Sequence, residues 1–330
     1  MAISEINDKS LAASAVNLAT TTVTGILPAA NTVANLSPGN NLVINGAMQI
    51  WQRGVSQTTT GYGCVDRFKN YVSGTVTFSQ ETTGLPSGFV YALKWTTGAA
   101  TSYGQSRHFI ETENVKALRG KTLTASAYVK VSSTYSGVAT WEIYYSTGGD
   151  VSGSSWANLN PTNVISASAS DASSDYKRIS CNVTIPANAV GIYVGIVPSA
   201  VQASGVTCSM TGVQLESGTV ATPFNHRSYG QELALCQRYY YVFGGEGAAP
   251  NIQGYGKGGD NTFGFTYPTN MRASPSGATS GTWQKSNCGD PVLVHQSSRQ
   301  FSVRVSVSSQ GNYEFYPASG SGKIELSAEL

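Results

Sequence analysis

Apolar and polar residues alternate along much of this chain in the two-residue rhythm of half-buried β-strands. Thr122–Val131, TLTASAYVKV, sets Leu123, Ala125, Ala127, Val129 and Val131 against polar partners. Thr75–Ser79, Val138–Tyr145, Tyr176–Ile185 and Val190–Val197 read the same way, with Gly- and Ser-rich turns between them. Spacing of this sort predicts an antiparallel sandwich or jelly roll over residues 41–227. A second, smaller β module is predicted at 243–330, from the alternation of Phe301–Ser308 and the short runs Gly311–Tyr316 and Lys323–Leu326. The Gly-rich stretch Gly244–Asp260 ahead of them reads as a splayed loop.

One segment breaks the rhythm. In SYGQELALCQRYYY (228–241), Leu233, Cys236, Gln237 and Tyr240 fall at i, i+3, i+4 and i+7, which predicts a short amphipathic helix over 228–242. Ser228 and Gln231 have the form of a capping box, Glu232 suits the helix N-terminus and Arg238 its C-terminus. A single helix between two β regions reads as a bridge. The first forty residues differ again. They carry no charge after Lys9, and Leu11, Val16, Leu18, Val23, Ile26, Leu27, Val33 and Leu36 recur with no helical or strand period. A floppy terminus is one reading. The favoured one is an extended segment that docks on another surface, since disordered tails ordinarily stay soluble through charge. The predicted fold class is therefore all-β, with one bridging helix and an extended N-terminal segment.

Composition narrows the function. Charged residues are 12 % of the 330, about half the usual share. The net charge of +2 with no Lys/Arg run argues against a nucleic-acid partner. Residues 1–16 lack the charge and apolar core of a signal peptide, and no run is long enough for membrane insertion. The five scattered cysteines, none in a C-x-x-C spacing, read as buried thiols made in a reducing cytoplasm.

At the residue level, Asn41–Gly54 (NLVINGAMQIWQRG) with Val65–Phe68 (VDRF) resembles the opening of a jelly-roll module common in bacteriophage tail fibres and other virion fibres. GVQLESGTVATPF and SYGQELALCQRYY resemble the ending of that module. TVTGILPAANTV looks like the segments that precede it, and IELSAEL is similar to the C-terminus of several such fibres. The resemblance implies a homotrimer located on the virion, attached to another structural protein through residues 1–40. It also implies a carbohydrate-binding-like jelly roll that recognises a host surface glycan. A tail fibre, a capsid-surface fibre or decoration protein, and a glycan-degrading tailspike enzyme are the readings it leaves open. A carbohydrate-binding module of a secreted enzyme fits less well.

No catalytic residues emerge. The three histidines stand outside any metal spacing, no G-x-S-x-G elbow or Walker loop occurs, and GYGKGG (254–259) has neither the lysine position nor the strand–helix setting of a phosphate loop. Glu111 and Glu113 read as surface acids sharing one face of an edge strand, and Asp66–Arg67 as a buried structural pair. The expectation is a non-enzymatic protein with no metal and no cofactor. Sugar binding needs exposed aromatic faces to take the apolar C–H patches of pyranose rings. Trp51, Phe68, Trp95 and Trp141 lie in core-like patterns. Trp156, in the long loop Thr147–Pro161, and Tyr103, Tyr135 and Trp283, in turn-like settings, are the glycan-binding candidates; packing between subunits is their alternative role.

Overall fold

The computed structural model describes residues 41–151, 153–171, 175–245, 251–318 and 321–330. The expected attachment segment 1–40 lies outside the described residues. Two antiparallel sheets face each other as a sandwich. The first runs β1 (Ser56–Gln57), β3 (Val76–Glu81), β4 (Ala92–Thr97), β12 (Thr207–Ser217), β6 (Thr122–Val131) and β10 (Lys177–Thr184). The second runs β2 (Phe68–Ser73), β5 (Tyr103–Ile110), β11 (Gly191–Pro198), β7 (Val138–Ser146) and β8 (Ala157–Asn158), with β9 (Ala167–Ser168) also on β7. Non-consecutive neighbours give the crossovers of a jelly roll. The predicted alternation sets the faces: Leu123, Ala125, Ala127, Val129 and Val131 all enter the core, with Trp95, Phe78, Phe68, Trp141 and Ile143. All five cysteines are buried and free.

A second core, around Phe301, Val303, Val305, Phe315, Ile324 and Leu326, lies between two smaller sheets. One is β13 (Tyr240–Gly244), β19 (Lys323–Ser327) and β15 (Ser276–Ser280). The other is β14 (Ile252–Thr266), β18 (Gln300–Pro317) and β16 (Trp283–Ser286), with β17 (Val292–Gln296) also on β18. Here the sequence reading needs correction. Phe301–Ser308 and Gly311–Tyr316 belong to one continuous strand, β18, and most of the predicted splayed loop is β14, paired with it from Ile252–Phe315 to Thr266–Gln300. A glycine-rich strand looks like a loop by composition. In this one Gly254 makes room for Tyr313, whose hydroxyl would lie 2.5 Å from a Cβ there.

Helix α2 covers Tyr229–Gln237 and carries the predicted capping box between Ser228 and Gln231. It ends earlier than predicted, because Tyr240 already belongs to β13. Its buried residues are Glu232 and Cys236, whereas Leu233 and Gln237 are half-buried. The Glu232 carboxylate is drawn inward by the Asn45 N–H, which donates to it, and by Arg227 at 3.1 Å. Glu111 also departs from expectation. It precedes a short helix, α1 (Thr112–Lys116), is buried, and pairs with Arg238 at 3.0 Å; only Glu113 is a surface acid, paired with Lys116. Arg238 thus serves that ion pair beyond its place at the helix end.

Asp66 and Arg67 are buried, 1 % and 0 % exposed, but they do not pair with each other. Asp66 meets Arg53 at 3.3 Å, and Arg67 meets Glu329, which Arg53 also reaches at 3.0 Å. Arg67 lies 3.4 Å from the Tyr239 ring centroid and Arg53 3.6 Å from that of Tyr240. The residues following β19 therefore return to the sandwich. Tyr62 donates to the Leu330 carbonyl at 2.8 Å, and Leu330 joins Ile44, Ile50, Phe109, Tyr193, Cys236 and Tyr239 in a third buried cluster. Residues 41–330 fall within one compact unit.

Candidate functional site

The second sandwich sheet turns Phe68, Ile110, Val194, Ile143 and Trp141 inward, so its alternate residues form the outer face. The register lays these out in rows. Lys69, Arg107, Gly195 and Glu142 are successive cross-strand partners on β2, β5, β11 and β7. On one side lies the row Phe109, Tyr193, Tyr144 and Asn158; on the other Tyr71 stands opposite Gln105, and beyond it Ser73 opposite Tyr103.

The centre of the face is a fixed ion pair. Arg107 Nε and Nη2 donate to the two oxygens of Glu142 at 2.9 and 2.6 Å, although β11 runs between their strands. Gly195 is what permits this: a Cβ there would stand 2.8 Å from the Ser106 carbonyl and 3.1 Å from Arg107 Cγ. The Tyr193 hydroxyl donates to Glu142 Oε1 at 2.9 Å. The guanidinium lies 4.5 Å from the Tyr71 ring centroid and 4.7 Å from that of Tyr193, so it is held between two aromatic rings. The side chains keep 20 % and 11 % exposure, enough to be touched by a ligand. Burial opposes the charge on Arg107, but the bonded Glu142 carboxylate outweighs it and raises the pKa. Burial, reinforced by the Arg107 charge, lowers that of Lys69, whose ammonium lies 5.5 Å from the Tyr71 ring centroid. Burial raises that of Tyr71, leaving its hydroxyl a neutral donor and acceptor.

An aromatic cluster closes one end. Tyr144 stacks on Tyr193 at 5.1 Å and 8°. Trp156 meets Phe109 and Tyr193 edge-on, at 5.5 and 5.0 Å. Leu233 and Leu235 of α2 pack against this cluster, so the helix covers that end, while Tyr71 at the other end is half-buried.

Of the four residues singled out from sequence, two reach this face. Tyr103 is half-buried in its outermost row, and Trp156 is half-buried in the aromatic cluster, its loop turned back by the pairing of Ala157 and Asn158 with Tyr145 and Tyr144. The other two are corrections. Tyr135 and Trp283 are each 6 % exposed and lie in the two cores, so neither presents a ring face to a sugar. Tyr71, Arg107, Glu142 and Tyr193 escaped the sequence reading. The one available signal was large aromatic and charged residues on the outward positions of predicted strands, as with Glu142 and Tyr144 in Val138–Tyr145.

The arrangement offers a rigid donor–acceptor pair beside the half-buried ring of Tyr71, while Tyr193, 2 % exposed, presents no ring face and serves by fixing the pair. Such an arrangement suits a hydroxyl-rich ligand. Glu142 is engaged by Arg107 and Tyr193. Among the described residues no cluster of three or more His, Cys, Asp or Glu could hold a metal ion.

No protein-family profile matches the sequence, and no curated protein does. Among solved structures, the enzymatically active domain of tailspike protein 4 from bacteriophage CBA120 is 14 % identical over 55 % of this chain, with TM-score 0.36; this chain spans only 22 % of that one. The C-terminal family 22 carbohydrate-binding module of Clostridium thermocellum Xyn10B is 12 % identical over 52 % of this chain and 99 % of its own, with TM-score 0.33. The tandem CBM22-1–CBM22-2 domain of Paenibacillus barcinonensis Xyn10C is 9 % identical over 88 % and 97 %, with TM-score 0.35. At these TM-scores the likeness is loose and assigns neither ligand nor activity to this chain.

Proposed function

We propose that this protein is a non-enzymatic fibre component of a phage virion that binds a host surface glycan through the outer face of the second sandwich sheet. The observation that carries the glycan reading is the Arg107–Glu142 pair clamped between Tyr71 and Tyr193. Its hydrogen-bonding groups are fixed before a ligand arrives, which cuts the ordering cost of binding. Engagement of Glu142 by Arg107 and Tyr193 favours a binding role over an acid–base one. The virion assignment rests on the sequence motifs at 41–68 and 212–241. With it go a homotrimer and attachment to another structural protein through residues 1–40; the proposed place is the tail, with the capsid surface the alternative that these motifs leave open.

Binding of purified protein to host surface polysaccharide tests the reading. Tyr71→Ala, and Arg107→Met made together with Glu142→Leu so that no buried charge is stranded, should each weaken binding about tenfold, corresponding to ~1.4 kcal/mol. Unchanged affinity in both would sink the site. Shortening of the polysaccharide on incubation would overturn the non-enzymatic assignment. A sedimentation mass other than three chains would remove the trimer. Normal virion incorporation after deletion of residues 1–36 would remove the anchoring role.

A further inference from the structure

A cavity of about 610 Å³ lies beside α2, lined by Asn225, His226, Arg227, Gln231, Leu235 and Arg238 among others and by none of Tyr71, Arg107 and Glu142. Its size is within the range of small-ligand sites, roughly 300–1,000 Å³. On the helix, Gln231, Ala234, Leu235 and Arg238 fall at i, i+3, i+4 and i+7 and make a stripe beside the buried one of Glu232 and Cys236. The opposite wall is the segment that follows β12. It is pinned where the Asn225 N–H donates to Gln214 Oε1 at 2.9 Å. The exposed His226 ring is backed by Phe224 at 4.8 Å and Phe89 at 5.1 Å, so its orientation is set.

The charges in this cavity are compensated. Arg227 is engaged by Glu232, and Arg238 donates from Nε and Nη2 to Glu111 at 3.0 to 3.2 Å. An anionic ligand would have to compete with those carboxylates. A neutral ligand would not, and it would find the Asn225 amide, the side-chain NH2 of Gln231 (whose oxygen serves the capping box), an apolar floor at Ala234 and Leu235, and an aromatic edge at His226. We infer that the α2 cavity is a second ligand site, selective for a neutral hydroxyl-rich ligand; that the ligand is a saccharide rests on the glycan reading above.

Saturation-transfer NMR with a panel of neutral linear hexasaccharides, and oligogalacturonate of equal length as the acidic counterpart, tests this in three proteins. They are the parent, the sheet-face variant Tyr71→Ala, and Ala234→Arg, which fills the cavity from an exposed helix position with a good helix former. At least one neutral hexasaccharide should bind the parent and Tyr71→Ala. Its binding should fall about tenfold in Ala234→Arg, ~1.4 kcal/mol, while melting temperature holds. Binding lost in Tyr71→Ala and kept in Ala234→Arg overturns the second site and leaves the sheet-face reading standing. Preference of the cavity for oligogalacturonate overturns its neutral selectivity. No binding by the parent overturns the saccharide assignment at the cavity.

Discussion

Replacing Glu329 with Gln should destabilise the protein more than any single change on the sheet face. Glu329 is 6 % exposed, pairs with Arg53 and Arg67, and belongs to the segment that returns from the second β module to the sandwich. Arg67 is fully buried and held otherwise by the Phe109 carbonyl at 2.9 Å and the Tyr239 ring; its Nε is already without a partner. At an effective dielectric of about 20, an ion pair near 3 Å is worth roughly 5 kcal/mol before desolvation. Glutamine restores one acceptor and no charge, so Arg67 keeps most of its burial cost. Stranding one partner of a buried pair costs roughly 3–5 kcal/mol. With an unfolding entropy of ~2.1 cal/mol/K per residue, a unit of this size should lose about 5–8 °C in melting temperature. Differential scanning calorimetry measures this directly. A double-mutant cycle with Arg67→Met isolates the pair: the double variant should be clearly more stable than the two single losses add up to. A Glu329→Gln protein melting within about 1 °C of the parent, or strict additivity in the cycle, would refute the idea that this ion network ties the returning segment down.

Three further outcomes follow from the same contacts. Burial pushes the Asp66 carboxyl up to about 6, against the pull of Arg53 and Gln52, from an unfolded value of 3.8. Its stabilising contribution is therefore complete below about pH 4 and lost as pH rises through 6, on the order of 3 kcal/mol in all. His108 acts oppositely: burial and the nearby Arg67 and Arg227 charges hold it well below 6.5, and it accepts the Ile44 N–H, so its contribution is lost as pH falls below 6.5. Chemical denaturation between pH 5 and 7.5 should show Asp66→Asn gaining stability at the upper end and losing more than the parent on acidification; identical profiles would contradict the sign. Ser228→Ala should cost ~1 kcal/mol in urea unfolding through loss of the capping box, with Ser228→Asn retaining most of it. Trp283→Ala should destabilise by about 3–5 kcal/mol and leave glycan affinity of the folded protein unchanged, whereas Gly195→Ala should reduce that affinity by crowding Arg107; a Trp283→Ala protein that folds normally and loses binding would reverse these assignments.

Local pattern carried the all-β class, five strands of the sandwich (β3, β6, β7, β10 and β11) and the capping box of α2, but not β5, whose first residue, Tyr103, reads as part of a turn. Each depends on alternation or on residues within a few positions of one another, and hydrophobic burial enforces that pattern wherever the strands are placed. Composition misled at β14, because glycine marks a loop only until a partner strand supplies the hydrogen bonds and a Tyr313 needs the space. The site was legible only in part. Tyr103 and Trp156 were within reach of a sequence argument, but the pair at the centre of the face joins Arg107 to Glu142 across 35 residues and a strand that lies between them. The Glu329–Arg67 pair spans 262 residues. Charge complementarity of this range depends on sheet order and register. Those are decided when strands distant in the chain pair and the sheets close over their cores, and no local signal encodes them.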